Sequence, residues 1–209
     1  MDNKIVLASG NTGKLAELRE LLAGSVELVP QTELGIGDAE ETGLTFVENA
    51  ILKARHAARA AGLPALADDS GLCVDALNGA PGLYSARYAG VHGDNAANNA
   101  KLLRELEGVA DARRGAHFVC VLALLQGPDD PDPLVAHGRW PGRILIAPRG
   151  EHGFGYDPVF LPDDGKGLGA AELDPALKNR ISHRGQALAA LRRDLLLPSP
   201  SGRGCPKGG

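Results

Sequence analysis

Short apolar runs alternate along the chain with stretches in which leucines recur every third or fourth position, and this alternation divides it into elements. Residues 4–8 are β-branched and apolar, which predicts a first strand. After a turn of small residues, Leu15, Leu18, Leu21 and Leu22 fall at helical spacing and predict a helix over 14–23. Residues 26–30 predict a second strand, and 31–44 a loop rich in glycine and acid. Thr45, followed by Glu48, forms a capping box for a helix running to residue 61, and Gly62 stops it. Residues 63–67 predict a strand that ends at Asp68-Asp69-Ser70-Gly71, a run with good turn chemistry.

Farther along, 78–95 reads as irregular, 98–107 as a helix and 116–126 as a strongly apolar strand. A turn over 127–133 leads into a strand over 134–138, and Ile144 opens another. Residues 147–158 form a glycine-rich loop. Ala170-Ala171-Glu172-Leu173 leads into an exposed helix, and Ser182 opens the last helix, which ends near residue 197. Residues 198–209 are polar and rich in breakers, which predicts a disordered tail behind a single domain over 1–197. Strands mixed with helices predict an α/β protein, with a strand order that the pattern leaves open.

Composition narrows the function. Hydrophobic residues at 44% and charged residues at 23% suit a packed core rather than a disordered chain. The net charge of −4 lacks the basic surplus that nucleic-acid binding leaves, so a polyanionic ligand must be met by a local cluster. Cys73, Cys120 and Cys205 show no ligand or pairing spacing, and Cys73 and Cys120 sit in apolar runs as small core residues. The N-terminal residues lack a long apolar segment, and no stretch approaches spanning length; a cytoplasmic protein without a membrane partner is the expectation.

Candidate chemistry gathers in separate stretches. Ser9-Gly10-Asn11-Thr12-Gly13-Lys14 lies between a strand and a helix, where glycines admit a ligand to the backbone and the helix presents free N–H groups. It is not a P-loop, because Leu15 follows Lys14, and it fits either a phosphate site or a plain turn. Glu40, Glu41, Asp68 and Asp69 supply carboxylates. Adjacent carboxylates repel unless a cation compensates, and such oxygens suit Mg²⁺; a solvated turn is the alternative. Asn49 and Lys53 share one helix face. Phe154, held between Gly153 and Gly155, is placed to stack on a planar base or to plug a loop. Lys178, His183 and Arg184 offer donors to base carbonyls, or are plain helix charges.

In this order, with Glu41-Thr42-Gly43-Leu44-Thr45-Phe46-Val47-Glu48-Asn49-Ala50, Gly79-Ala80-Pro81-Gly82-Leu83-Tyr84-Ser85-Ala86-Arg87 and Ile181-Ser182-His183-Arg184-Gly185 added, the stretches resemble the inosine/xanthosine triphosphate pyrophosphatase family, also called Ham1-like or RdgB-type. The resemblance runs over residues 4–196. It implies an elongated two-lobed fold with a central twisted mixed β-sheet flanked by helices, a cleft between the lobes, and a homodimer. It implies Mg²⁺-dependent hydrolysis of dITP, ITP, dXTP and XTP to the monophosphate and pyrophosphate, which clears deaminated purines from the nucleotide pool.

By resemblance, Asp69 is general base and metal ligand, with Asp68 and Glu41, or its neighbour Glu40, near the metal. Ser9, Gly10, Asn11, Thr12, Gly13, Lys14 and Lys53 hold the triphosphate, and Ser70 touches substrate. Phe154, Gly155, Tyr156 and Asp157 surround the base, and Lys178, His183 and Arg184 read its oxo groups. The glycine-rich Gly167-Leu168-Gly169 departs from the family and predicts a looser loop. A Maf-like pyrophosphatase is the nearest rival, and a nonenzymatic nucleotide- or RNA-binding module a more distant one.

Overall fold

The computed structural model describes residues 4–22 and 26–196, so Ala23 and the expected tail lie outside the described residues. Six strands form one mixed sheet: β1 (Lys4–Ala8), β2 (Glu27–Pro30), β3 (Ala65–Val74), β4 (Gly115–Leu125), β5 (Leu134–Ile144) and β6 (Phe160–Pro162). Their order is β2-β1-β3-β4-β5-β6. β1 runs parallel to β2 and β3, while β3, β4, β5 and β6 pair antiparallel. The helices are α1 (Thr12–Leu22), α2 (Phe46–Ala61), α3 (Asn95–Glu105), α4 (Pro175–Ile181) and α5 (His183–Leu196).

Strand alternation assigns each face its cover. On one face Val6, Ala8, Ala65, Ala67, Val121 and Ala123 meet α2 through Ala50, Ala54, Ala57 and Ala58. Small residues on both sides let α2 lie close to the sheet. On the other face Leu7, Leu66, Cys120, Leu122 and Leu124 meet α1 and α5 through Leu18, Ala187, Leu188 and Leu191. A third cluster, around Leu72, Phe118, Trp140, Ile144 and Phe160, packs with α3 at the other end of the long strands. Thus β3, β4 and β5 run through two groups of packed elements, which agrees with the two-lobed expectation.

Local chemistry set the ends of α2 where expected: Thr45 Oγ1 accepts from the Glu48 N–H, and Gly62 closes the helix at φ +66°. Several expectations are corrected. β3 does not end at Asp68 but runs on to Val74, because β4 pairs it along its whole length and overrides the turn propensity of Asp-Asp-Ser-Gly. β5 is one strand through Pro141 rather than two, since β6 joins it only from Gly142 onward and leaves an edge where proline is tolerated. α3 begins at Asn95, because Asp94 caps it by accepting from the Ala97 N–H. The irregular stretch contains a 3-10 turn, Gly82–Arg87. α4 exposes Pro175, Ala176 and Arg180 as expected but turns Lys178 inward, where it is buried. The glycine-rich loop is pinned, as Arg149 donates to the Gly167 carbonyl and to Glu172, which accepts from the Gly169 N–H. Cys120 is buried, whereas Cys73 is only partly so.

α5 presses so closely on β5 that a Cβ at Gly138 would overlap the His183 carbonyl oxygen. Gly138→Ala is therefore expected to cost about 1–3 kcal/mol, as overpacking does. Thermal unfolding followed by the fluorescence of Trp140, the chain's single tryptophan, measures this; an unchanged melting temperature would show that the helix yields freely.

Candidate active site

β1 stops pairing with β3 at Ala67, one residue before Asp68-Asp69. Beyond that point β3 leaves β1 and meets instead the segment around Pro81, through a bridge at Cys73, so a crevice opens at the carboxyl end of β1, where open α/β sheets hold ligands. Because side chains alternate, Asp68 and Asp69 leave the strand on opposite faces. The expected mutual repulsion is thereby relieved, and each carboxylate meets its own ammonium.

Asp68 faces α1 and α5. Its Oδ1 lies 2.5 Å from Lys14 Nζ and accepts from Ser70 Oγ at 3.1 Å. Its Oδ2 accepts from Arg184 Nε at 3.2 Å and from Cys120 Sγ at 3.0 Å. A carboxylate has about four lone-pair sites, and these donors fill them. Burial pushes the carboxyl up, but the Lys14 and Arg184 charges overcome it and hold it well below the usual carboxylate range. Asp68, expected near a metal, thus stands on the face opposite Asp69 and Glu41, with its lone pairs met by these donors.

Asp69 faces α2, where Lys53 Nζ donates to its Oδ1 at 2.6 Å and to Glu41 Oε1 at 3.0 Å. Glu40 is exposed, so Glu41 is the glutamate brought to the cluster. The side-chain Oδ1 of Asn49 accepts from the Gly43 N–H at 2.8 Å and fixes the loop that carries Glu41. Burial raises the Asp69 carboxyl and outweighs the opposing Lys53 charge. Glu41 is pushed up by burial too, yet Lys53 and Arg87 bring it below its ordinary value. Among the described residues no three or more His, Cys, Asp or Glu side chains form a metal cage.

On the Asp68 side the crevice deepens into an open cleft. Asn11, Lys14, Ser70, Phe154, Lys178 and Arg184 line it. Asn11 caps α1 by accepting from the Lys14 N–H at 3.0 Å, and Ser9 Oγ accepts from the Asn11 N–H at 3.2 Å. Gly10 lies near Asp38, and a Cβ at Gly13 would stand 3.0 Å from the Phe154 ring. Thr12 opens α1.

Phe154 is held by its loop. Gly153 and Gly155 adopt φ +79° and +63°, and Asp157 Oδ2 accepts from the Phe154 N–H at 2.8 Å and from Lys178 Nζ at 2.7 Å. Lys178 and Arg184 lie 5.3 and 5.8 Å from the Phe154 ring centre. Tyr156 lines the cleft, and its hydroxyl donates to the Ser85 carbonyl at 2.9 Å, which braces the wall. His183 stacks on Phe118 with ring centres 4.7 Å apart. Burial, and then Arg184, push its imidazole well down, so it is neutral at pH 7, and its Nδ1 has no hydrogen-bond partner.

Sequence reading missed Glu17, which pairs with Lys178 at 3.4 Å and also with Arg184. Its one signal was the spacing from Lys14 on α1, which looks like any helix-surface pair. Ser85 was also missed; its Oγ accepts from the Leu72 N–H at 2.9 Å.

Comparison with known proteins adds to this geometry. Residues 5–194 match the model of the Ham1 family. The chain is 62% identical over 192 residues to a dITP/XTP pyrophosphatase of Xanthomonas oryzae pv. oryzae, covering 91% of this chain and 96% of that protein. A solved HAM1 protein from Coxiella burnetii superposes with a TM-score of 0.84 at 55% identity, covering 92% of this chain and 98% of that one. A nucleoside-triphosphatase / dITP/XTP pyrophosphatase from Mycobacterium abscessus does so with a TM-score of 0.73 at 50% identity, covering 94% and 100%.

Breaking a buried ion cluster by removing one partner costs about 3–5 kcal/mol. Asp68→Asn is expected to lose at least about 3 kcal/mol at pH 7, read by urea unfolding without added metal. The folded pKa of Asp68 is depressed, so its stabilisation is complete above the unfolded value near pH 4 and is lost as pH falls toward the folded one. The gap between wild type and variant should therefore narrow only below about pH 4; a gap that closes nearer neutrality would contradict the pairing.

Proposed function

This chain belongs to the Ham1 family, and on that premise we propose that it hydrolyses non-standard purine nucleoside triphosphates, dITP and XTP among them, to the monophosphate and pyrophosphate. The observation that carries the reading is one strand with a donor-rich, aromatic-lidded cleft on one face and a carboxylate–ammonium cluster on the other, a single residue apart.

In this reading the purine stacks on Phe154, between the Gly153 and Gly155 hinges. Lys178 and Arg184 donate to the six-oxo group, neutral His183 lies alongside, and Gly155, Tyr156 and Asp157 hold the wall. Adenine presents an amine at that position, which leaves buried donors facing a donor; a site built this way can reject the analogue by about 10⁴-fold. Ser9, Gly10, Asn11, Thr12, Gly13, Lys14 and Lys53 take the triphosphate, and Ser70 lies at the junction. Water attacks the α-phosphorus: its oxygen forms the new P–O bond, its proton passes to Asp69, and the bond to the bridging oxygen of pyrophosphate breaks. A carboxyl raised above its ordinary value is a stronger base for this than a solvated one. Lys14 and Lys53 offset the charge that builds on the phosphate oxygens.

Asp69 and Glu41 bring two carboxylates to one point, a hard-oxygen donor set that fits Mg²⁺, which takes one or two carboxylates with phosphate oxygens. Bound there, the ion would neutralise phosphate charge and acidify water. A homodimer, which rests on the family resemblance, and a cytoplasmic location, which rests on the lack of a long apolar stretch in the sequence, complete the proposal; among the described residues no helix is long and apolar enough to cross a membrane.

Incubation with dITP, XTP, dATP and dGTP, with Mg²⁺ and then with EDTA, tests the reading. Mg²⁺-dependent pyrophosphate release from dITP and XTP is expected, with dATP slower by orders of magnitude; orthophosphate as the first product would refute attack at the α-phosphorus. Asp69→Asn should lower turnover at least about 10²-fold, and near-normal activity in a folded variant would remove Asp69 from the role of base.

A further inference from the structure

Arg87 ends the 3-10 turn Gly82–Arg87, in the wall that faces β3. Its Nη1 stands 3.7 Å from Glu41 Oε2, an ion pair too long for a hydrogen bond, and its side chain is 39% exposed. A guanidinium carries five donors in a rigid fork, and this one is loosely engaged. It lies 5.3 Å from the centre of the Tyr84 ring. Tyr84 is 62% exposed, so its face packs no core and instead steers the cation.

The turn beneath is fixed. Ser85 Oγ donates to the Gly82 carbonyl at 2.6 Å and accepts from the Leu72 N–H, while Tyr156 donates to the Ser85 carbonyl. A Cβ at Gly71 would overlap the Gly82 carbonyl oxygen, so strand and turn are in direct contact. The fork is thus carried on a rigid element, as a preorganised site requires.

The charges also fall in an order. Lys178 and Arg184 stand at the base end, and Asp68 links Arg184 to Lys14. Lys53 joins Asp69 to Glu41, and Arg87 lies beyond, on Glu41. From this order we infer that Arg87 holds the departing pyrophosphate, a role that rests on the reaction proposed above. A planar fork grips two phosphate oxygens at once, and here it meets the group whose negative charge grows as the bond to the α-phosphorus breaks. The pyrophosphate then leaves still bound to Arg87, and the monophosphate remains on the Phe154 side.

The test compares wild type, Arg87→Ala and Arg87→Lys with dITP as substrate, and measures inhibition by added inorganic pyrophosphate and by dIMP. Arg87→Ala should weaken pyrophosphate inhibition about tenfold or more and lower kcat, with dIMP inhibition unchanged. Arg87→Lys should fall between, since a point charge lacks the fork. Should Arg87→Ala not fold, Arg87→Gln, which keeps the stem over Tyr84, is read in the same way. Turnover by wild type with unaltered pyrophosphate inhibition in the folded variant overturns this inference alone. Absence of dITP turnover by wild type overturns the proposed reaction and this role with it.

Discussion

The Asp68 carboxylate is the interaction on which the rest of the site is built. It is buried, and a buried carboxylate persists only if its charge and lone pairs are met. The donors that meet it come from distant parts of the chain: Lys14 from α1, Ser70 from its own strand, Cys120 from β4 and Arg184 from α5. Satisfying one anion therefore docks the first and last helices on the sheet and aims two cations at the cleft. Glu17 continues the chain of charges from Arg184 to Lys178, and Asp157 carries it to the backbone of Phe154. The aromatic lid is thus positioned through ion pairs that begin inside the sheet.

Its neighbour has the opposite balance. Asp69 meets one ammonium, which it shares with Glu41, and burial prevails over that charge. Two identical side chains, adjacent in sequence, end with opposite shifts, one held well below and the other above the ordinary carboxylate value. The difference comes from the number of donors each face supplies, and those faces are fixed by the alternation of one strand.

What was legible in the sequence follows the range of the interactions involved. The ends of α2 were readable because Thr45, Glu48 and Gly62 act on backbone within a few residues. The mixed sheet flanked by helices was readable through the family's ordered motifs, and so was the gathering of Asn11, Lys14, Ser70, Phe154, Lys178 and Arg184 in one cleft. The continuation of β3 through Asp68-Asp69 was not, because local turn chemistry and pairing with β4 disagree there and the longer-range pairing prevails. The burial of Lys178 and the part played by Glu17 were hidden for the same reason: their partners are far away in sequence. Tyr156 was placed correctly at the cleft, yet its hydroxyl is committed to the Ser85 carbonyl, which no spacing reveals.

The alternation at Asp68 and Asp69 also bears on how such a chain can change over generations. Insertion of one residue between them, within β3, would send one carboxylate to the opposite face, because each step along a strand reverses the direction of the side chain. Both carboxylates would then crowd one face, and the ammonium on the other would lose its partner. Substitutions nearby can be graded in effect, but a length change here is all or nothing. Insertions and deletions in a lineage carrying this site are thereby confined to its loops, and the dipeptide acts as a ruler against which every other position is counted.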